Sequence, residues 1–222
     1  MSLALIPHII LETGNNPQYS LIWLHGLGAN GEDFVPIADE IRLPQAVRYL
    51  FPHAPKRAVT INGGLIMPAW YDIRELDIGA QQDVAGIQES QQKINQLIER
   101  EIAQGIPPAH IFLVGFSQGG AMALHCGLRF PQKLGGILAL SSYLPLADRL
   151  PEEVNPLAKL TPVLMAHGHH DAVVPYSLGQ ASANLLQQQG CNLEWHDYAM
   201  SHTVCSEEVC DIEKWLQQRV PN

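Results

Sequence analysis

A serine set between glycines at fixed spacing, Gly115-Phe116-Ser117-Gln118-Gly119, is the segment of this chain best suited to chemistry. A serine hydroxyl is a weak nucleophile at neutral pH until a neighbouring base, itself oriented by a third group, takes its proton. The G-x-S-x-G spacing gains meaning where it joins a buried strand to a helix, because the sharp turn holds the serine strained with its hydroxyl outward. Here the almost wholly apolar run 110–116 precedes it, and a helical run to Phe130, stopped by Pro131, follows. Gly115 and Gly119 avoid clashes across the bend, and Gly120 lets the helix approach the sheet. The helix's free N–H groups and positive dipole end then lie near the hydroxyl. The chemistry implied is attack of an activated Ser117 on an acyl carbon.

That attack needs an acid and a histidine, which in such an architecture follow the serine in that order. Asp171 lies in Gly168-His169-His170-Asp171-Ala172-Val173-Val174-Pro175, just after an apolar run at 162–166. His202 lies in Ala199-Met200-Ser201-His202-Thr203-Val204, after the last strand pattern and with one helix still to come. Asp197 and Asp148 are rivals for the acid, but Asp197 belongs to the last strand itself and no strand leads directly to Asp148. Negative charge building on the acyl oxygen needs fixed N–H donors. The N–H of Gln118 is one candidate, and the turn His25-Gly26-Leu27-Gly28 supplies the other, with Leu27 as the donor.

The elements that must position these residues read as strand, loop, helix, repeated. Apolar runs at 19–25, 47–51, 110–116, 136–140, 162–166 and 192–198 read as strands. Helical spacing marks 31–43, with Phe34, Ile37, Ala38 and Ile41 on one face, and 80–104, with Val84, Ile87, Ile94, Leu97, Ile98 and Ile102. Further helices are expected to Phe130 and over 176–189 and 206–219. The stretch 52–79 is too long for a plain connection, and loops of that length tend to be functional. Alternating strands and helices predict an α/β fold, with a mostly parallel central sheet covered by helices on both faces. Residues 1–222 are expected to form a single domain of this class. In such sheets ligands bind beyond the carboxyl ends of the strands, where all the candidate residues fall.

Composition narrows the alternatives. With 13 Lys and Arg against 22 Asp and Glu, the net charge of −9 disfavours nucleic acid or an anionic membrane as the main partner. The first eight residues lack the basic start and apolar core of a signal peptide, and no apolar run reaches the roughly 18 residues of a membrane span. Cys126, Cys191, Cys205 and Cys210 fit free thiols in a reducing cytoplasm, and the five-residue step from Cys205 to Cys210 suits neither a redox nor a zinc pair. His167, His169 and His170 lack metal-site spacing, so no metal is expected. Gly26-Leu27-Gly28-Ala29-Asn30-Gly31 lacks the third glycine of a dinucleotide fingerprint, and no cofactor is expected.

Taken together, Leu24 to Phe34 (Leu-His-Gly-Leu-Gly-Ala-Asn-Gly-Glu-Asp-Phe), Met67-Pro68-Ala69-Trp70-Tyr71-Asp72, the Ser117 turn with Gly120, His167-Gly168 with Asp171, Val173, Val174 and Pro175, and Ser201-His202 resemble the phospholipase/carboxylesterase family. That group includes the acyl-protein thioesterases, and the match runs along nearly the whole chain. The resemblance implies a single α/β-hydrolase domain over 1–222 without a large cap, acting on carboxylic esters and often on thioesters or lysophospholipids, with Ser117, Asp171 and His202 as triad and Leu27 and Gln118 as oxyanion donors. It implies a small-molecule ester or acylated substrate and homodimers as a common state, while the lack of a long apolar run leads to the expectation of no integral membrane association. It also implies an acyl groove beside the Ala69-Trp70-Tyr71-Asp72 segment, here lined by Leu65, Ile66, Met67 and Trp70; the plainer alternative is that Ile66 and Trp70 plug the loop onto the core. One departure is Ser201, where the family usually has glycine. The rival functions are a lysophospholipase, or an idle protein that binds an acylated ligand without cleaving it.

Overall fold

The computed structural model describes residues 5–75 and 81–221. Its nine strands are β1 (His8–Glu12), β2 (Tyr19–Leu24), β3 (Val47–Pro52), β4 (Lys56–Val59), β5 (Leu65–Pro68), β6 (Ile111–Phe116), β7 (Gly136–Leu140), β8 (Val163–Gly168) and β9 (Leu193–Tyr198). The α-helices are α1 (Ile37–Glu40), α2 (Val84–Ala103), α3 (Gln118–Arg129), α4 (Leu150–Glu153), α5 (Tyr176–Gln188) and α6 (Ser206–Gln217). Among the described residues seven strands form one sheet in the order β1-β3-β2-β6-β7-β8-β9, and β4 pairs only with β5. Every neighbour in the large sheet is parallel except β1, which runs antiparallel to β3 at the edge.

Successive residues of a strand face opposite sides, so a sheet covered on both faces needs apolar residues at every position. In β6, Leu113 joins the core formed with α2 and α3, around Ile87, Ile94, Leu97 and Met122. Its neighbours Phe112 and Val114 join the opposite core, with Ile37, Ile41, Ile212 and Trp215 from α1, its flank and α6. The order β3-β2-β6 also creates a switch point. From β2 the chain goes to β3 on one side, and it later returns to lay β6 on the other. In such folds ligands bind at a switch point of this kind, beyond the carboxyl ends of the strands, here those of β2 and β6.

The predicted helix 80–104 begins at Val84, its first predicted residue Ala80 lying outside the described residues. Asp83 caps it, with the carboxylate accepting from the Gly86 N–H at 3.1 Å. The predicted helix 31–43 is broken instead into a 3₁₀ turn, Gly31–Phe34, and the four-residue α1. Pro36 is the cause, since it offers no N–H and its ring collides with the carbonyl four residues earlier. Asn30 starts the turn with a capping box, accepting from the Glu32 N–H at 2.7 Å while Asp33 accepts from the Asn30 N–H at 2.9 Å. Ile37, Ala38 and Ile41 are buried as expected, and Phe34 is half-buried.

The described part of 52–79 is more than a loop. It carries the antiparallel β4–β5 hairpin, turned through Gly63 and Gly64, both at positive φ. Among the described residues no helix is long and apolar enough to cross a membrane.

Candidate active site

Ser117 occupies the single residue between β6 and α3, at φ 55° and ψ −120°. Positive φ strains a residue with a side chain by ~1–3 kcal/mol, so the surroundings must impose it. They do so on both sides of the bond. The Ser117 N–H donates to the Leu140 carbonyl at 2.8 Å, and the Ser117 carbonyl accepts from the Ser142 hydroxyl at 2.8 Å. Close approach then demands glycine at two places. A methyl on Gly115 would sit 2.2 Å from the Gly119 backbone, and one on Gly119 would sit 2.1 Å from the Leu24 carbonyl oxygen.

His202 and Asp171 arrive from the ends of β9 and β8. His202 Nε2 lies 2.9 Å from Ser117 Oγ, and its Nδ1 lies 2.7 Å from Asp171 Oδ2. A carboxylate only accepts, so Nδ1 carries the proton and Nε2 is left to accept from the serine hydroxyl. The other carboxylate oxygen, Oδ1, accepts from the N–H groups of Val173 and Val174 at 2.9 and 2.8 Å. The Asp171 side chain is fully buried, whereas His202 keeps an edge toward solvent. The Phe116 ring packs against the His202 imidazole at 4.8 Å between centroids. Ser201 is exposed and its φ is not positive, so this position does not demand glycine and the departure leaves His202 in reach of Ser117.

The rival acids lie elsewhere. Asp197 faces away from His202, accepting from Tyr176 at 2.6 Å and pairing with His169 at 3.3 Å. The Tyr176 hydrogen bond is the main reason its carboxyl is held below the usual range. Asp148 is exposed on a 3₁₀ turn. Of the histidines beside Asp171, His167 points inward. Its Nε2 donates to the Val174 carbonyl at 2.9 Å and lies 3.4 Å from Asp171 Oδ2, while burial pushes the imidazole below its ordinary value.

The turn after β2 lies against the serine. A methyl on Gly26 would be 3.5 Å from Ser117 Cβ, and Leu27 follows directly, half-buried. Gln118 is the first residue of α3, and N–H groups in a helix's first turn have no partner within the helix. On the hairpin, Leu65 and Ile66 are 62% and 68% exposed, and Met67 is half-buried with its sulfur near Gly28. Trp70, expected in the groove, is instead 0% exposed. Its ring lies beneath the surface against His25, at 5.4 Å between centroids, and offers an acyl chain nothing to touch. An aromatic residue in a loop reads the same in sequence whether it lines a groove or braces a core. The contacts of Phe116 and Ser142 had no signal in the sequence beyond their adjacency to the strand ends.

A model of the phospholipase/carboxylesterase group matches residues 7–220. The chain belongs to that family. Acyl-protein thioesterase 1 of Neurospora crassa is 41% identical over 99% of this chain and 94% of its own length. A probable carboxylesterase of Oryza sativa is 35% identical over 99% of this chain and 85% of its own. Among solved structures, Arabidopsis thaliana SOBER1 superposes with a TM-score of 0.87 at 33% identity, covering 91% of this chain and 99% of that one. Zea mays acyl-protein thioesterase 2 gives the same TM-score at 28% identity, covering 97% and 100%. These phospholipase/carboxylesterase relatives share the α/β-hydrolase fold described above.

Proposed function

We propose that the chain is a serine hydrolase of carboxylic esters and thioesters, with Ser117 as nucleophile, His202 as base and Asp171 as its orienting acid. The observation that carries this reading is the unbroken relay from Ser117 Oγ through His202 to Asp171, at 2.9 and 2.7 Å. His202 Nε2 takes the Ser117 proton as the hydroxyl attacks the acyl carbon, and Asp171 stabilises the imidazolium that forms. The N–H groups of Leu27 and Gln118 receive the oxyanion. His202 then gives its proton to the departing alkoxide or thiolate, leaving an acyl-enzyme. Water activated by His202 attacks the acyl carbon, Ser117 regains its proton, and the carboxylic acid leaves.

Leu65, Ile66 and Met67 flank this centre from the hairpin and take the acyl chain. An exposed apolar pair on a short hairpin suits that contact better than it suits folding, since neither side chain stabilises a core. Residues 1–222 act as one hydrolase domain, and the free thiols suit a reducing cytoplasm. A fluorophosphonate probe tests the reading. Mass spectrometry of the labelled enzyme should place a single adduct on the peptide containing Ser117. No adduct, or one on another serine, refutes it.

A further inference from the structure

The β2–β6 ladder ends at the pair Leu24 and Gly115. Beyond that rung the two chains part, β2 into the His25–Gly28 turn and β6 into the Ser117 bend and α3. The two N–H groups of the proposed oxyanion hole lie on these parting arms, past the last hydrogen bond of the sheet. Oxyanion donors must stand about 2.7–3.1 Å from the developing charge, so contacts outside the ladder set the gap between the arms: the close approach of Gly119 to Leu24 and His25, and the hydrogen bonds of a third segment.

One segment, 68–71, bonds to both arms. Toward the first arm, the Gly28 N–H donates to the Pro68 carbonyl at 2.9 Å, and the Trp70 indole Nε1–H donates to the His25 carbonyl at 2.9 Å. Toward the second, the Trp70 backbone N–H donates to Gln118 Oε1 at 2.8 Å, and Gln118 Nε2 donates to the Tyr71 carbonyl at 2.8 Å. The brace is itself anchored. The Ala69 N–H donates to Pro55 O at 3.0 Å, Arg57 Nε donates to Ala69 O at 2.9 Å, and the Ser90 hydroxyl donates to Trp70 O. His25 is fixed too: the Ala54 N–H donates to its Nε2 at 3.0 Å, so Nδ1 carries the proton and donates to Gly26 O at 2.7 Å.

We propose that Trp70 is a positioning residue that sets the spacing of the Leu27 and Gln118 N–H groups, acting through the His25 carbonyl and the Gln118 side chain without touching substrate. This rests on the oxyanion assignment in the proposed function. Trp70 is the only residue of the segment that bonds to both arms through its own donors. Its role is therefore felt where charge develops in the transition state, and substrate binding in the ground state is left alone.

Two variants remove the indole donor while keeping a ring in place: Trp70→Phe, and replacement of Trp70 by the isosteric β-(3-benzothienyl)alanine through nonsense suppression. The readouts are kcat and KM for a p-nitrophenyl ester, the inhibition constant of a trifluoromethyl ketone carrying the same acyl group, and the melting temperature. Expected is a loss of about ten- to a hundred-fold in kcat with KM within about twofold, and the ketone weakened by a matching factor. The benzothienyl variant, which keeps the packing volume, should show the same loss if the Phe variant folds poorly. Wild-type kcat and ketone affinity in the benzothienyl variant, or a change confined to KM or melting temperature, overturn the proposal. Fluorophosphonate labelling of Ser117 in the unmodified enzyme keeps the two readings apart: without it the hydrolase assignment itself fails.

Discussion

His202 Nδ1 lies 2.7 Å from Oδ2 of Asp171, and that carboxylate's other oxygen is held by the backbone of Val173 and Val174. The aspartate is thus clamped on one side and committed to the imidazole on the other. An asparagine at this position can present its NH₂ to Nδ1 and hold the proton on the wrong nitrogen. Asp171→Asn should lower kcat by about 10⁴-fold while the protein folds normally. Asp197→Asn, which disturbs only Tyr176, Trp195 and His169, should stay within a few-fold of the parent. Steady-state kinetics on both variants decides between the two acids, and a larger loss at Asp197 would reverse the assignment.

The exposed hairpin gives a prediction about chain length. If Leu65, Ile66 and Met67 take the acyl chain, kcat/KM should rise as the acyl group is lengthened until the surface is covered. Each buried methylene contributes up to ~0.8 kcal/mol, roughly a factor of four, less the cost of ordering it. Met67→Ser should flatten the slope of log(kcat/KM) against chain length and leave acetate esters nearly unchanged. A uniform drop at all lengths would mean that the hairpin only supports the core.

Gly119 is a packing prediction. An alanine there drives a methyl into the Leu24 carbonyl, and neither backbone can yield without parting α3 from β2. Gly119→Ala should cost about 3 kcal/mol or more of stability, read from the urea midpoint. An unchanged midpoint would mean that α3 is not held this close to the sheet.

Glu208 governs a pH dependence. It is 0% exposed near the start of α6, neither carboxylate oxygen has a hydrogen-bond partner of ordinary geometry among the described residues, and burial pushes its carboxyl up to about 8. The nearby Cys205 backbone offsets only part of that burial. In the unfolded chain the group titrates near its ordinary value of 4.5. Between those two values the folded state holds the proton more tightly, so its stabilising contribution is full below about 4.5 and falls as pH rises toward about 8. Glu208→Gln should remove that decline, and its stability relative to the parent should rise by up to a few kcal/mol from pH 5 to pH 8. Urea titrations at a series of pH values measure it, and parallel curves for the two proteins would contradict it.

Where one physical pattern dominated, the structure was legible in advance. The strand Gly136–Leu140 matches its apolar run residue for residue, because a strand buried on both faces leaves no polar position to blur its ends. Ser117, Asp171 and His202, 54 and 31 residues apart, were traceable because each follows a strand, and the structure brings the three within hydrogen-bond reach. The elements without a clear sequence pattern are short or lie at an edge. β1 has only five residues with one antiparallel neighbour, and β4 and β5 have four each and pair only with each other. The helix expected at 31–43 failed on a single residue, Pro36, whose local veto outweighs a favourable apolar spacing. The sequence misplaces Trp70 because periodicity says nothing inside a loop; its burial and the indole hydrogen bond to the His25 carbonyl show that the ring faces inward.

In the proposed reaction Ser117 attacks the acyl carbon, and its hydroxyl can be removed with little loss of packing. Ser117→Ala should fold with an unchanged circular dichroism spectrum and lose about 10⁴-fold or more of kcat/KM on p-nitrophenyl esters and acyl thioesters alike. The measurement is the rate of product release by the purified variant at saturating and limiting substrate. Near-normal turnover of either substrate class by a folded Ser117→Ala protein would contradict the account at its root.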